Sequence, residues 1–531
     1  MERKWWTLIA VSVATFMLLL DITVVNTALP SIQEDLNATF TDLQWVVDAY
    51  TLPLAALVLT AGVLADRLGR RRMFAAGLGI FTLGSLLAGL ATDPTFLNLA
   101  RAFQGVGGAV MFAVSLALIA QEFSAGRERG MAMGVYGATI GIAVAVGPLV
   151  GGVLTELVGW ESIFFLNVPI GIAAIAITYR HVRETRDPDA SRIDWLGLVT
   201  FSSSLFLLVL GLLRGNDEGW GSPLIVSLLA SAAVLMIAFL VIETRVKEPM
   251  LPLHLFRKPA FTGVQLAAGA VSASIFALFL YLTLYLQGYL GHDPIEAGLR
   301  YLPVTMVNFF VAAATGALLS RVQARYLIGA GLGLTGAGLL LMGGIHASDD
   351  WTGLLPGFLL VGAGVGLINP SVADVAVSVV PKEHSGMASG INDTFRQVGI
   401  AVGIAAWGAI FLGRGASRVE ELAAGIPAAT GDRPRELVEA VSSGNLDSAV
   451  AQAPPGARAD IVDAAHQGFL SGMNDILMLG GILAIAGALV SLWLIRESGI
   501  EREPVFDAEP AVDDGDRLKP VPGSAAEPVA A

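Results

Sequence analysis

Apolar stretches of about twenty residues recur along the whole chain, with short polar segments between them. A run of that length crosses the ~30 Å hydrocarbon core of a bilayer as one helix, because a helix bonds all its backbone polar groups internally. Fourteen such runs begin near Trp5, Leu43, Met73, Phe96, Met131, Ile163, Trp195, Pro223, Phe261, Ala297, Tyr326, Trp351, Ala388 and Phe469. The pattern predicts an all-α integral membrane protein with 14 transmembrane helices. The first run is too long for a cleaved signal, contains Asp21 and lacks a small-residue cleavage site.

The polar segments alternate in charge. Every second one is basic: Arg67, Arg70, Arg71 and Arg72; Arg127 and Arg129; Arg180, Arg183, Arg186 and Arg192; Arg245, Lys247, Arg257 and Lys258; Arg321 and Arg325; Lys382. The short segments between them hold only Arg214, with Arg300 at a helix end. Lys and Arg resist transfer across the bilayer, so the basic loops mark the cytoplasmic side and both termini are expected there. The outer segment 413–468 carries five arginines, but its length puts it near the limit of that rule. Helix-forming runs broken by Pro-Pro and Gly make it a small, partly helical cap. The Pro/Ala/Asp-rich tail 496–531 is expected to be disordered.

Composition agrees with lipid as the solvent: 54% of the 531 residues are apolar, 15% are charged, and the mean hydropathy is +0.68. The net charge of −13 comes mostly from the cap and the tail, so it implies no polyanionic partner and no nucleic-acid role. Without a cysteine there are no disulfides and no thiolate metal sites. No metal or cofactor is expected, and the absence of G-x-x-x-x-G-K-[ST] means the chain does not itself hydrolyse ATP.

Two distant segments repeat each other. Gly130–Gly147 aligns with Gly386–Gly403 at an offset of 256, with seven of eighteen positions identical. Gly105-Val-Gly107 matches Gly362-Ala-Gly364 at 257, and Gly316…Arg321…Arg325 is a decayed copy of the first arginine loop at 254. A near-constant offset makes the first and last six spans copies. The expected organisation is a six-helix bundle (1–192), two inserted helices with a linker (193–258), a second six-helix bundle with the cap (259–495), and the tail. Many transporters are built from internal repeats with the substrate site near the bilayer midplane at the repeat interface, so the meeting of the halves is where such a site would be expected.

Ionisable groups inside hydrocarbon cost at least a few kcal/mol each and are functional candidates by default. All six histidines and all five lysines fall in loops, at span ends or in the tail, so an intramembrane proton relay must use carboxylates. The candidates are Asp21, Asp48, Asp374 and Asp393, with Arg101 and Arg396 as buried cations; no role is assigned to Asp48, Asp374 or Asp393. Asp21 and Arg101 lie at similar depth on antiparallel spans. Burial opposes the carboxylate charge and a guanidinium favours it, a balance suited to taking and releasing a proton. Asn26, Gln104 and Asn167 are candidate polar contacts for a substrate. Asp66 sits at a helix C-terminus, where a bare carboxylate is disfavoured, so it needs an arginine or another helix's N-terminus as partner.

Several motifs carry a family resemblance. Gly62-Val-Leu-Ala-Asp66-Arg67-Leu-Gly69-Arg70-Arg71-Arg72 resembles the signature loop of the major facilitator superfamily, in which Gly62, Asp66, Arg67, Gly69, Arg70 and Arg71 would form a conformational latch. Gly134-x8-Ala143-x3-Gly147-Pro148-x2-Gly151-Gly152 resembles the fifth-span motif of antiporting exporters, with Ala143 where Gly is usual. Proline there frees a backbone carbonyl, and the glycines let a neighbour pack close or slide. Leu20-Asp21…Pro30 and Leu97-x3-Arg101-x2-Gln104-Gly105-x-Gly107 resemble first- and fourth-span motifs of the fourteen-helix drug:proton antiporters (EmrB/QacA-type). Trp160…Phe164-Phe-Leu-Asn167-Val-Pro169 resembles the start of their sixth span, except that Glu161 and Ser162 replace the usual Arg-Trp.

The resemblance implies a secondary transporter, not an enzyme: proton-coupled efflux of small lipophilic or cationic drugs by rocking halves, driven by the proton gradient. It implies a bacterial cell membrane and a monomer. A dedicated exporter of one natural product, or a nutrient importer, would share the fold. A proton-pumping respiratory subunit would need mid-membrane lysines, which are absent. Gly362-Ala-Gly-Val-Gly366 is read as helix packing, and Phe276, Phe279, Phe309 and Phe310 as lipid or core contacts.

Overall fold

The computed structural model describes residues 2–124, 127–186, 193–246, 249–381, 384–424, 433–451 and 453–496, and the described residues are helical or in turns and loops. The long helices are α1 (Arg3–Leu36), α2 (Phe40–Leu68), α3 (Arg70–Gly89), α4 (Pro94–Glu122), α5 (Arg127–Leu157) and α6 (Glu161–His181). The inserted pair is α7 (Trp195–Glu218) and α8 (Pro223–Glu243). The second half holds α9 (Pro259–Tyr289), α10 (Leu302–Leu318), α11 (Ala324–Met342), α12 (Leu355–Ser378), α13 (Ser385–Leu422) and α14 (Arg458–Leu494). Among the described residues, twelve helices suffice by length and apolarity to cross a bilayer; α5, of 31 residues, and the shorter apolar α10 pack among them.

Local chemistry sets the boundaries. Thr39 caps α2 in a reciprocal box with Asp42, Asp93 caps α4 ahead of Pro94, and Ser222 caps α8 ahead of Pro223. α1 runs through Pro30 and ends at Asn37 in the left-handed conformation (φ 49°). The helices α13 and α14 extend well into the expected cap, to Leu422 and from Arg458, and only Arg433–Ser442 and Leu446–Val450 are separate cap helices among the described residues. The tail beyond residue 496, with Arg192, Lys247 and Lys382, lies outside the described residues.

α1 to α6 pack on one another as one bundle and α9 to α14 as another, and their apolar cores reach across the interface: Ala56, Leu59 and Val63 of α2 join the second core, and Ala373 and Val377 of α12 join the first. The bundles meet where α5 lies along α10 and α2 along α13. The inserted helix α7 covers the second seam: Ser202 hydrogen-bonds Thr60 of α2 (2.7 Å), and Asn216 donates to the Ala405 carbonyl of α13 (3.1 Å). α8 packs mainly on α7 and turns Val234 and Ile237 outward. With Leu157, Val199, Phe310 and Trp493 these form an exposed apolar perimeter, which a soluble protein would hide and a lipid-facing one requires.

Candidate functional site

Asp21 is buried in the first bundle and fully partnered. Its carboxylate accepts from Arg101 Nη1 (2.5 Å), Gln104 Nε2 (2.8 Å) and Asn167 Nδ2 (3.1 Å). Both amides also reach Ser85 Oγ of α3, which donates to the Phe164 carbonyl. Side chains of α4 and α6 therefore bond one carboxylate of α1, and α3 joins the cluster through Ser85. Arg101 Nη1 also donates to Gln104 Oε1 (2.7 Å) and its Nε to the Val46 carbonyl of α2 (3.1 Å), while the guanidinium lies 4.3 Å from the centre of the Tyr50 ring. Gly105 makes this approach feasible, because a Cβ there would strike the Tyr50 carbonyl.

Asp21 and Arg101 thus meet. Gln104 and Asn167, read from the sequence as substrate contacts, are buried with their amides on the Asp21 carboxylate and Ser85. Asn26 is apart from them and exposed, and its amide returns to the Ile22 carbonyl of its own helix (3.4 Å).

At the far end of α2, Asp66 gains both kinds of partner expected for it. Oδ1 accepts from Arg70 Nε (2.9 Å) and Nη2 (2.7 Å) and from the Gly386 amide (3.0 Å), and Oδ2 from the Met387 amide (2.8 Å). The carboxylate therefore sits on the N-terminus of α13, in the other bundle, where unpaired amides and the helix dipole favour an anion. Gly62 lets α2 approach, since a Cβ would collide with the Gly386 carbonyl. Gly69 turns the chain at φ +110°, beside Glu184, which accepts from the Arg71 amide and lies 3.6 and 3.5 Å from the Arg71 and Arg72 side chains. Arg67 is not part of this contact, and its Nη1 has no hydrogen-bond partner among the described residues.

The glycines of α5 serve two interfaces. Gly147 and Gly151 lie against Thr23 and Thr27 of α1, whereas Gly134 lies against the Ala312 carbonyl of α10 and Gly152 against Ile295. Pro148 falls within the helix, its ring outside the described atoms.

Between the bundles is a cavity lined by Ile140 and Gly141 of α5, Phe276 and Phe279 of α9, Val304, Thr305 and Asn308 of α10, and Val361, Val365 and Asn369 of α12. Phe276 ends a π-turn, Ser272–Phe276, that breaks the regular pitch of α9. Of the aromatic residues read as lipid or core contacts, Phe276 and Phe279 line this cavity, and Phe310 is exposed on the perimeter. Behind the cavity, Arg396 donates twice to Asn369 Oδ1 (3.2 Å each) and once to Asn392 Oδ1 (3.4 Å), and Asn392 donates to Gln265 (3.0 Å). Asp393 is buried on the same helix, Asp374 is buried on α12, and Asp48 pairs with Arg214 of α7 (3.5 Å). Gly362 and Gly366 face α10 and Gly364 faces α11, so that glycine run is packing.

Sequence reasoning missed Ser85, Asn308 and Asn369. The asparagines left a usable signal, an amide inside an apolar span; Ser85 left none.

The family model described as Major Facilitator Superfamily matches residues 11–404. The puromycin resistance protein pur8 of Streptomyces alboniger is 38% identical over 81% of this chain and 86% of its own length. The tetracenomycin C resistance and export protein of Streptomyces glaucescens is 33% identical over 94% of both. Among solved structures, the human organic anion transporter MFSD10 (TETRAN) superposes with a TM-score of 0.61 at 12% identity, over 92% of this chain and 99% of its own, which is a likeness of fold.

Proposed function

Because this chain belongs to the major facilitator superfamily, and is a multi-pass membrane transporter and not an enzyme, we propose that it exports small lipophilic drug-like or antibiotic compounds in exchange for protons. In this reading α5 and α10 complete fourteen spans across a bacterial cell membrane. The arginine-rich face is cytoplasmic, and both termini lie on it.

The observation that carries the reading is the Asp21 carboxylate, ion-paired to Arg101 in a buried site that also grips α2 through the Val46 carbonyl. Adding a proton neutralises Asp21 and removes the ion pair, leaving Arg101 held by Gln104, Val46 and Tyr50. α2 is one continuous helix through Pro53, so Val46 and Asp66 are about 30 Å apart on the same element. A shift in Arg101's hold on α2 therefore reaches the Asp66 contact with α13. That contact is closed here, so the cytoplasmic ends are locked and the cavity belongs to the outward side of the cycle. Opening it requires the glycines of α5 to slide against α1 and α10. One charge crossing 100 mV supplies ~2.3 kcal/mol, about a fortyfold concentration ratio.

Two relatives named for single antibiotics favour a second reading, a dedicated exporter of one natural product. Growth protection against a panel of unrelated dyes and antibiotics separates broad from narrow specificity. Gradient-driven uptake of drug into everted vesicles tests the coupling itself. Asp21→Asn is expected to reduce uptake to the level of de-energised vesicles; coupled uptake at the wild-type rate would overturn the assignment.

A further inference from the structure

We propose that the cavity between α5, α9, α10 and α12 selects an uncharged aromatic cargo that offers one hydrogen-bond donor and one acceptor, in preference to a permanent cation. The inference rests on the export reading and narrows its cargo.

The lining is apolar and aromatic except for Thr305, Asn308 and Asn369. Thr305 turns its hydroxyl back to the Tyr301 and Leu302 carbonyls of its own helix (3.1 and 3.0 Å). Asn308 and Asn369 are 7% and 2% exposed, yet Asn308 Oδ1 and Asn369 Nδ2 have no partner among the described residues. A buried polar atom left unbonded is costly, so each favours a ligand group that completes it. The orientation of Asn369 follows from its neighbours. Two guanidinium N–H groups of Arg396 point at it, which only the amide oxygen can accept, so Nδ2 faces the other way. Bonding that oxygen to a cation polarises the amide and strengthens Nδ2 as a donor, suited to a carbonyl or phenolic oxygen. Asn308 rests against Gly141, where a Cβ would collide with its amide nitrogen, and its free oxygen accepts a hydroxyl or N–H. Phe276 and Phe279, with ring centres 6.5 Å apart, supply the aromatic walls.

Charge argues the same way. No carboxylate lines the cavity among the described residues; the nearest ionisable group by bonding is Arg396, with Asp393 three residues before it on α13. With Asp393 ionised the two sum to zero, and with it protonated to +1. Asp374, five residues beyond Asn369 on α12, is engaged in contacts of its own. A permanent cation would lose its hydration here without gaining a counter-charge.

The test is titration of the purified full-length protein in detergent with 1,8-dihydroxyanthraquinone, which is neutral, and with ethidium, a permanent cation. The anthraquinone is expected to bind at least tenfold more tightly. Asn308→Leu and Asn369→Leu should each weaken it by about tenfold. Asn308→Asp should weaken the anthraquinone and raise ethidium affinity by about tenfold, a gain that misfolding cannot produce. Ethidium binding the wild type as tightly as the anthraquinone, or both leucine variants binding the anthraquinone normally, would overturn the proposal. Binding needs no gradient, so the two readings fail separately. Selective binding without pumping in vesicles refutes proton-coupled export alone; ethidium pumping untouched by either leucine variant refutes the cargo class alone.

Discussion

In the first bundle, both Asp21 oxygens are occupied by Arg101, Gln104 and Asn167; in the second, Arg396 binds Asn369 and Asn392, while Asn308 Oδ1, Asn369 Nδ2 and Asp393 Oδ2 remain without partners among the described residues. A saturated cluster has no use for a ligand. It responds to the one event that changes its own bonding, the gain or loss of a proton. An unsaturated cluster beside a cavity asks for an external partner. In the proposed reading, the buried polar groups of the two similar halves differ as something to be switched and something to be filled.

The largest effect expected from breaking this contrast is at Arg101. Replacing it with Met strands the Asp21 charge in a buried site, which costs about 3–5 kcal/mol. The thermal midpoint in detergent should fall sharply. The double variant Asp21→Asn/Arg101→Met removes both charges and should recover most of that loss while remaining dead for coupled transport. If the double variant pumps, the pair is only a structural bridge. If the single variant keeps the wild-type midpoint, Asp21 is not held as an ion.

Next is Asp66. Asp66→Asn loses charge-assisted bonds to Arg70 and to the start of α13, each worth about 1.5–3 kcal/mol, so the closed state should lose roughly tenfold or more in population. The chain has no cysteine, so Ala388→Cys alone reports on this contact. Ala388 is fully buried at the start of α13. A maleimide should label it several times faster in the Asp66→Asn background. Equal rates would mean that Asp66 does not hold the halves together.

How far the amino-acid sequence is legible follows the cost of placing groups in lipid. Most span positions are readable because long apolar runs have few alternatives: twelve helices among the described residues are long and apolar enough to cross a bilayer. The pairing of Asp21 with Arg101 is readable because opposite charges at one depth in hydrocarbon have little choice but to meet. So is the need of Asp66 for an arginine or a helix N-terminus, both of which it has. Neutral amides carry no such penalty, and their direction depends on which neighbour stands where. Hence Gln104 and Asn167 read as substrate contacts although both bond Asp21, and Asn308 and Asn369 escape notice. The π-turn at Ser272–Phe276 is equally silent, since its residues are ordinary helix and strand formers. The cap is smaller than its sequence implies because a helix does not stop at a membrane surface unless something caps it, and α13 continues to Leu422.

A smaller effect sharpens the unsaturated side. Gly141→Ala should push the Asn308 amide aside, because the new Cβ would occupy the place of Nδ2. The expected outcome is roughly tenfold weaker binding of the neutral anthraquinone, with the Asp21-dependent proton step unchanged in vesicles energised by a pH gradient. Loss of proton coupling in this variant would mean that the two clusters are not separable.

The smallest effect is expected at the inserted helices, and it decides whether they belong to either cluster. Arg214 of α7 lies 3.5 Å from Asp48, donates to Gln44 (3.0 Å) and covers the Trp45 ring at 4.9 Å. All three partners are on α2, the helix that also carries the Arg101 and Asp66 contacts. The pair is only partly buried, with 11% and 16% of the side chains exposed, so the ion pair and the ring contact together are worth about 1 kcal/mol. Arg214→Gln should therefore lower the thermal midpoint by a few degrees at most and leave transport intact. α7 touches both sides of the α2–α13 seam, at Thr60 and Ala405, and a helix so placed either rides with α2 or restrains it. Export that collapses in Arg214→Gln while the midpoint barely moves would mean restraint, making the inserted pair part of the switch. Export that persists would leave it a lipid-facing flank of the seam.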